Sequence, residues 1–507
     1  MSWHTSIAMT SEVDAELRNH LVRADGQEDI CLATYRLSTG TIRKTALLRK
    51  AILPETGERE VHGNASLTGD YVIRGAMVAQ SNDEGLVLCH SHPGGKTWQS
   101  MSGPDKDAES SFANLVREMT GMPLVGMTIA GGDGSWSGRH WDHGLGDHVQ
   151  TTECDNVRVL GDRLVITWNN ATTAIPIHSS QKTSASCWGP KLHNDLVRRK
   201  VLVVGVGSVG LDIALRLAAT GFVELGLMDF DTIEYGNLDR LIGVTATDAW
   251  LHRSKVEVAR RLVMENSTAT SPRVVALESS ICESEGLKAA LDFDIVICCV
   301  DRPWPRAVLN TMAYSSLIPV IDGGIAVDVF PDDGGMRNAT WRSHVVRPGR
   351  PCMSCNGQLD LGSVAADVQG LLDDPTYIAG TPLQPRNTGQ NVALLSMSAA
   401  AGLLAQFVSL NVAPGGIGEP GPLQYILSTH TLEHLAVSTR PGCPIEGLVG
   451  YGDPSPDLTG HHPMAHDRRQ ERMEASRFPG IRLGRVVDDF IWKGRSALKR
   501  RGCHQSG

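Results

Sequence analysis

The chain has 507 residues, of which 41% are hydrophobic, 20% charged and 5% aromatic, with 53 glycines and a formal net charge of −9. At about 100–200 residues per domain, that length implies several domains, and the apolar fraction excludes a disordered or fibrous chain. The negative balance argues against a general nucleic-acid binder.

Eleven cysteines, an odd number scattered without a framework, read as reduced thiols of a cytoplasmic protein. The N-terminus lacks a basic start followed by an apolar core, so no signal peptide is expected. Residues 1–145 combine a helix pattern at 11–24 with strand-like runs at 29–37, 86–92 and 123–131. Residues 146–184 hold one strand pair around 157–168 and a Ser/Thr-rich run, and read as a connector. From Lys200 the pattern alternates. Strands at 200–205, 224–231, 294–301 and 319–324 are interleaved with helix patterns, which predicts a mostly parallel, doubly wound sheet over 185–445. The apolar run 391–410 carries serines and a glutamine, so a buried helix is expected there, with no membrane span. Residues 446–507 read as a basic helical tail, since from Asp467 onward eleven Lys/Arg stand against five Asp/Glu.

The first segment with chemistry in it is "LVLCHSHPGGKTWQSMSGPDKDAES". His90 and His92 alternate on a strand end, so their side chains share a face and can share a metal. Asp105 follows at the start of a helix, with Ser102 as its cap or as an active-site hydroxyl. Two imidazoles and one carboxylate leave zinc an open position. "HSHPGGKT" nearly fits a phosphate-binding loop, but His90 occupies the first glycine position and no helix follows Thr97.

His90-Ser91-His92-Pro93 followed by Ser102-Gly-Pro-Asp105 resembles the JAMM (MPN/JAB) zinc metalloprotease signature. The resemblance implies zinc held by His90, His92 and Asp105. Glu28 would be the general base on water, and Ser102 would help stabilise an oxyanion. Glu55, Glu58 and Glu60 compete for the role of base from a turn-rich segment. The loop between His92 and Ser102, nine residues, is longer than the family's.

"VLVVGVGSVGLDIALRLAATG" sets Gly205, Gly207 and Gly210 as G-x-G-x-x-G between a strand and a helix. Such a turn brings phosphates close to a helix N-terminus. Asp229 ends the next strand, where a ribose-binding acid sits, so the segment alone predicts an NAD-binding unit. The residues beyond that strand suit a different nucleotide. Asp229, Asp231, Asn237 and Arg240 fall within a dozen residues, Lys255 comes after, and Asp301 succeeds the strand at 294–300. Hydride transfer has no use for those cations, whereas a triphosphate with bridging magnesium does.

This arrangement resembles the ThiF/MoeB/ubiquitin-activating-enzyme superfamily. The resemblance implies ATP and magnesium as cofactors: Asp229 on the ribose, Arg240 and Lys255 on the phosphates, Asn237 positioning the triphosphate and Asp301 holding magnesium. It also implies adenylation of the C-terminal carboxylate of a small ubiquitin-like or sulfur-carrier protein ending in glycine. A homodimer, and a conjugating-enzyme-like partner, would go with it. An arginine that the family supplies before the glycine loop has no counterpart in "SSQKTSASCWGPKLHNDL". Cys352 and Cys355 are candidates for capturing the activated acyl group, Cys355 being preferred. The same C-x-x-C is half of a zinc knuckle whose second pair is missing, the later cysteines being Cys443, followed by Pro-Ile-Glu, and Cys503.

The expected molecule is a JAMM-type peptidase fused to a ThiF-type adenylating domain, both acting on the same carrier C-terminus. The rivals are sulfur-carrier activation for thiocarboxylate formation, a non-catalytic scaffold that binds a ubiquitin-like protein, and an NAD dehydrogenase.

Overall fold

The structure, a computed structural model, describes residues 3–143, 149–170, 175–330, 335–373 and 392–503. Two sheets organise them, one of nine strands and one of eight.

The N-terminal sheet centres on the strands Ile30–Thr39, Gly85–His92 and Leu124–Ala130. Gly85–His92 runs antiparallel to Ile30–Thr39 and parallel to Leu124–Ala130. The helices Gly69–Ser81 and Gly103–Thr120 bury Tyr71, Val72, Ala76, Ala113 and Val116 against Leu32, Leu86 and Leu88. Sequence and structure part company at the expected connector. Strands Val149–Glu153, Asn156–Leu160 and Leu164–Trp168 all join this sheet, and Asn156–Leu160 pairs in parallel with His4–Thr10. The first unit therefore extends beyond residue 145. The hairpin between the last two strands is local, but the parallel partner lies at the far end of the unit, where no short-range pattern reports it.

The second sheet places the strands Arg273–Leu277, Glu224–Met228, Val201–Val204, Ile295–Cys298 and Val320–Val329 side by side, all parallel, as the alternating pattern predicts. Three antiparallel strands, Met336–Val346, Leu423–Ile426 and Thr431–His434, complete it. Helix Ser208–Thr220 stops at Gly221, whose φ of +105° is the left-handed conformation that ends helices. The helix Ala393–Val412 is long and apolar enough by itself to cross a membrane. Here Ala399, Leu403, Phe407 and Leu410 lie buried at the sheet, and Phe222 meets Phe407 edge-on at 5.6 Å.

The two units share their interior. Ala8, Leu47, Leu160, Leu164 and Ile166 of the first pack in one apolar cluster with Leu196, Val201 and Leu217 of the second. Asp294, 1% exposed, accepts from Arg43 at 2.6 Å and from Arg158 at 3.0 Å, so two arginines of the first unit converge on one carboxylate of the second.

The expected tail is helical, at Pro463–Ala475 and Pro479–Cys503, but it is docked rather than free. Residues 446–462 tie both units: Asp453 accepts from the Thr39 amide and hydroxyl at 2.7 Å each, and the Gly452 amide donates to Ser315. Charge composition identified the segment as basic. It could not show that the acids it pairs with lie on the adjoining unit.

Candidate functional sites

His90 and His92 occupy the end of their strand, and Asp105 the first turn of the Gly103–Thr120 helix. Nε2 of His90 lies 3.3 Å from Nε2 of His92, and Oδ2 of Asp105 lies 3.6 and 3.5 Å from them. A tetrahedral zinc with bonds of about 2.0–2.1 Å separates its ligand atoms by about 3.4 Å, so this trio has the spacing of a zinc-binding face. The donor chemistry fits as well. Two imidazole nitrogens and one carboxylate oxygen are donors that zinc takes, and the two imidazoles hold the Asp105 carboxyl far below the usual carboxylate range, in its anionic ligand form.

The surroundings orient these side chains. Ser102 caps the helix, its hydroxyl accepting from the Asp105 amide while Asp105 Oδ2 accepts from the Ser102 amide. That box orients the Asp105 carboxylate, which gives Ser102 a positioning role. On the same face, Thr128 Oγ1 stands 3.3 Å from His90 Nε2, the nitrogen that would turn to the metal, and accepts from Arg139 at 3.0 Å. Arg139 is in turn buried against Glu109. Nothing in the local sequence marked Thr128, Arg139 or Glu109.

Glu28 precedes its strand by two residues. Because Ile30 faces His90 in the antiparallel register, Glu28 is carried toward His92. Its neighbour Asp29 is buried and gripped by Arg23, Arg59 and His20, with its amide donating to Ser91 Oγ at 2.9 Å. Of the competing bases, Glu58 is committed to Arg74, and Glu55 lies 3.8 Å from the same guanidinium. Glu60 is exposed beside His62.

At the second site the three glycines differ in kind. Gly205 has φ +86°, and a Cβ there would lie 2.7 Å from Cys299 O. A Cβ on Gly210 would lie 2.0 Å from Gly205 O. Those two are required by the turn itself. A Cβ on Gly207 would meet nothing within 4 Å, so that glycine keeps open the space in front of the helix Ser208–Thr220, where a phosphate would approach.

Asp229 ties this turn to the acids behind it. Oδ2 accepts from the Val206 amide at 2.8 Å and Oδ1 from the Asp231 amide at 2.9 Å. Burial pushes its carboxyl up. Lys255, the first residue of the helix Lys255–Asn266, donates to Asp231 Oδ2 at 2.8 Å. Burial lowers the Lys255 pKa, but Asp229, Asp231 and Asp301 outweigh it and hold the ammonium above its ordinary value. Asp301 is exposed just past the strand Ile295–Cys298.

Arg240 and Asn237 are on the expected loop, half-exposed, and their side chains bond to that same loop. Arg240 donates to Gly236 O and Asp239, and Asn237 Oδ1 accepts from the Glu234 amide. The structure therefore gathers Asp229, Asp231 and Lys255 with Asp301 beside them, and leaves Arg240 and Asn237 to shape the loop.

Cys352 and Cys355 do not stand as acyl acceptors. Both are buried, and with Cys443 they form a trio whose sulfurs lie within 4.8 Å of one another. Cys352 Sγ is 3.7 Å from Cys443 Sγ, close to the separation of about 3.75 Å set by zinc–sulfur bonds of about 2.3 Å. Burial pushes the Cys352 thiol up to about 12, which suppresses the thiolate a nucleophile needs. The Arg440 amide donates to Cys355 Sγ at 3.3 Å. The third sulfur comes from Cys443, and the residue three positions on, where a second C-x-x-C would have a cysteine, is Glu446. That signal was present in the sequence, but only folding brings Cys443 to the first pair.

Residues 179–413 match the ThiF family. The chain is 30% identical over 149 residues to the NEDD8-activating enzyme E1 catalytic subunit of Caenorhabditis elegans, covering 27% of this chain and 34% of that protein. It is 29% identical over 162 residues to the molybdopterin-synthase adenylyltransferase of Escherichia coli K12, covering 32% of this chain and 59% of that protein. It thus spans less than two thirds of the length of these relatives. Among solved structures, E. coli MccB with ATP aligns at a TM-score of 0.40 and 18% identity, over 54% of this chain and 76% of that one. The glycine turn, Asp229, Lys255 and Asp301 all fall within the residues that match the ThiF family.

Proposed function

We propose that the chain activates the C-terminal carboxylate of a small ubiquitin-like or sulfur-carrier protein by ATP-dependent adenylation. The carboxylate attacks the α-phosphorus, the bond to the β-phosphate oxygen breaks, and pyrophosphate leaves. The observation that carries this reading is the linkage from the Val206 amide through Asp229 and Asp231 to Lys255, set beside the open face at Gly207. A buried cation that three carboxylates keep charged suits a polyphosphate and has no role in hydride transfer. ATP–pyrophosphate exchange that depends on a candidate carrier tests it. Absence of exchange with every carrier supports the scaffold reading instead.

Release of the carrier as an adenylate, or its conversion to a thiocarboxylate, fits better than thioester capture, because the two expected cysteines are buried in a metal-type trio. The homodimer remains part of the proposal. Leu361, Leu394 and Ile417, each more than 70% exposed, offer apolar surface for it on the ThiF-family side.

For the first unit we propose a JAMM-type hydrolase that acts on peptide or isopeptide bonds at the same C-terminus. A zinc ion held by His90, His92 and Asp105 would supply Lewis-acid polarisation there. Glu28 would accept and return a proton, and Ser102 would keep Asp105 oriented through the capping box. Elemental analysis is expected to find about two zinc equivalents per chain, one for each ligand trio. His92→Ala removes one equivalent and Cys443→Ser the other, each independently. Retention of full zinc by both variants would contradict both assignments.

A further inference from the structure

The helix Pro463–Ala475 crosses the end of the sheet where the nucleotide residues lie. It touches the loops that leave three of the parallel strands. After Arg273–Leu277, Glu278 takes Arg472. After Glu224–Met228, Asp231 and Glu234 take Arg468, at 3.6 and 2.9 Å. After Ile295–Cys298, Arg302 donates to Met464 Sδ at 3.1 Å. Arg469 adds a two-pronged pair with Glu283, at 2.9 and 2.5 Å. The segment entering the helix is locked between the same loops. His462 stacks on Trp304 at 5.2 Å and packs against Phe230 at 4.9 Å, while Trp304 Nε1 donates to Leu458 O at 2.8 Å. Phe230 lies between Asp229 and Asp231, and Trp304 lies three residues past Asp301.

Asp231 thus receives two cations from opposite sides, Lys255 on Oδ2 and Arg468 toward Oδ1. Lys255 is rooted in its helix. Arg468 is not: its side chain is 32% exposed, and its partners are the carboxylates of Asp231, Glu234 and Glu471. Pairs of that exposure hold weakly and exchange readily, and a guanidinium prefers the bidentate geometry of a phosphate.

Resting on the adenylation reading, we propose that Arg468 is a phosphate-binding residue of the nucleotide site. It exchanges its carboxylate partners for the polyphosphate of ATP, and Arg469 and Arg472 are positioning residues that hold the helix in place. The C-terminal segment then forms part of the site, and its basic charge has a specific use.

Calorimetric titration of the full chain with magnesium ATP, and separately with adenosine, tests this. Arg468→Ala is expected to weaken ATP binding by about tenfold or more, the loss of a charge-assisted contact, while adenosine affinity changes less than about twofold. Arg468→Lys recovers part of the loss. Arg469→Ala with Arg472→Ala is expected to give a smaller loss with the same selectivity for the phosphorylated ligand. Equal loss of ATP and adenosine in Arg468→Ala, or no loss at all, overturns the assignment. An unchanged ATP affinity in the double variant overturns the positioning role. If the wild type binds ATP in this Arg468-dependent manner but supports no pyrophosphate exchange, the adenylation reading falls and the phosphate contact stands. If the wild type binds no ATP, both fall.

Discussion

Asp301→Ala is expected to lower carrier-dependent ATP–pyrophosphate exchange by about 10²–10³-fold while moving the thermal midpoint by no more than about 2 °C. The separation of the two effects comes from where the residue sits. Asp301 is exposed, so removing its carboxylate opens no cavity, and the cations near it keep other counter-ions, Lys255 with Asp231 and Arg306 with Asp322. It is still close enough to Lys255 and Arg306 to raise both, so its charge acts on the edge of the sheet where the triphosphate must be neutralised. The obvious alternative, Lys255→Ala, is a poorer test. Lys255 is the cation beside Asp229 and Asp231, and deleting it leaves two neighbouring, partly buried carboxylates without their counter-ion, which destabilises the fold by itself. Lost exchange in that variant would report unfolding as readily as chemistry. Exchange at wild-type rate in Asp301→Ala would remove the magnesium-holding role from this residue.

Much of both sites was legible in the sequence because their chemistry is local. His90 and His92 are two apart on a strand, and Ser102 and Asp105 are three apart at a helix start. Gly205, Gly207 and Gly210 sit at one strand–helix turn. Each spacing corresponds to a backbone geometry that places the side chains together without reference to the rest of the chain. The features that were not legible depend on distant partners. The strand Asn156–Leu160 looked like part of a connector because its parallel neighbour His4–Thr10 lies at the start of the chain. Cys443 joins Cys352 only through the fold, across 91 residues. Arg468 and Asp231 meet across the whole C-terminal half. Arg240 shows the converse. It matches the family motif by position, yet its guanidinium is turned to Gly236 O and Asp239, a rotamer that no spacing determines.

The shared interior gives the two proposed activities a common mechanical basis. The strand Ile295–Cys298 leads to Asp301 at one end, and Asp294 stands at the other, holding Arg43 and Arg158 of the first unit. Asp294 Oδ2 also accepts from the Lys200 amide at 3.0 Å, which anchors the start of the strand preceding Gly205. The interface carboxylate therefore supports two of the three strands that deliver residues to the nucleotide site.

Asp294→Ala is accordingly expected to cost about 3–5 kcal/mol, because it leaves two buried guanidinium groups without their counter-ion. The effect is large because neither cation has water to fall back on: Arg43 and Arg158 are 4% and 1% exposed at the side chain, and burial already pushes Arg158 down to about 9. Denaturant unfolding, followed by hydrogen exchange in Ile30–Thr39 and Glu224–Met228, reads both units at once. The midpoint should fall for both strands together, since the units share one apolar cluster. Loss confined to one unit would show that Asp294 does not couple them. A pH profile gives a second readout. Burial raises the Asp294 pKa, but Arg43 and Arg158 outweigh it and hold the carboxyl below its ordinary value. A depressed folded pKa means that the stabilisation is fully present above the unfolded value of about 3.9 and is lost as pH falls through the folded one. Wild-type stability should therefore fall below about pH 4 more steeply than that of Asp294→Ala, and the two curves should converge in acid.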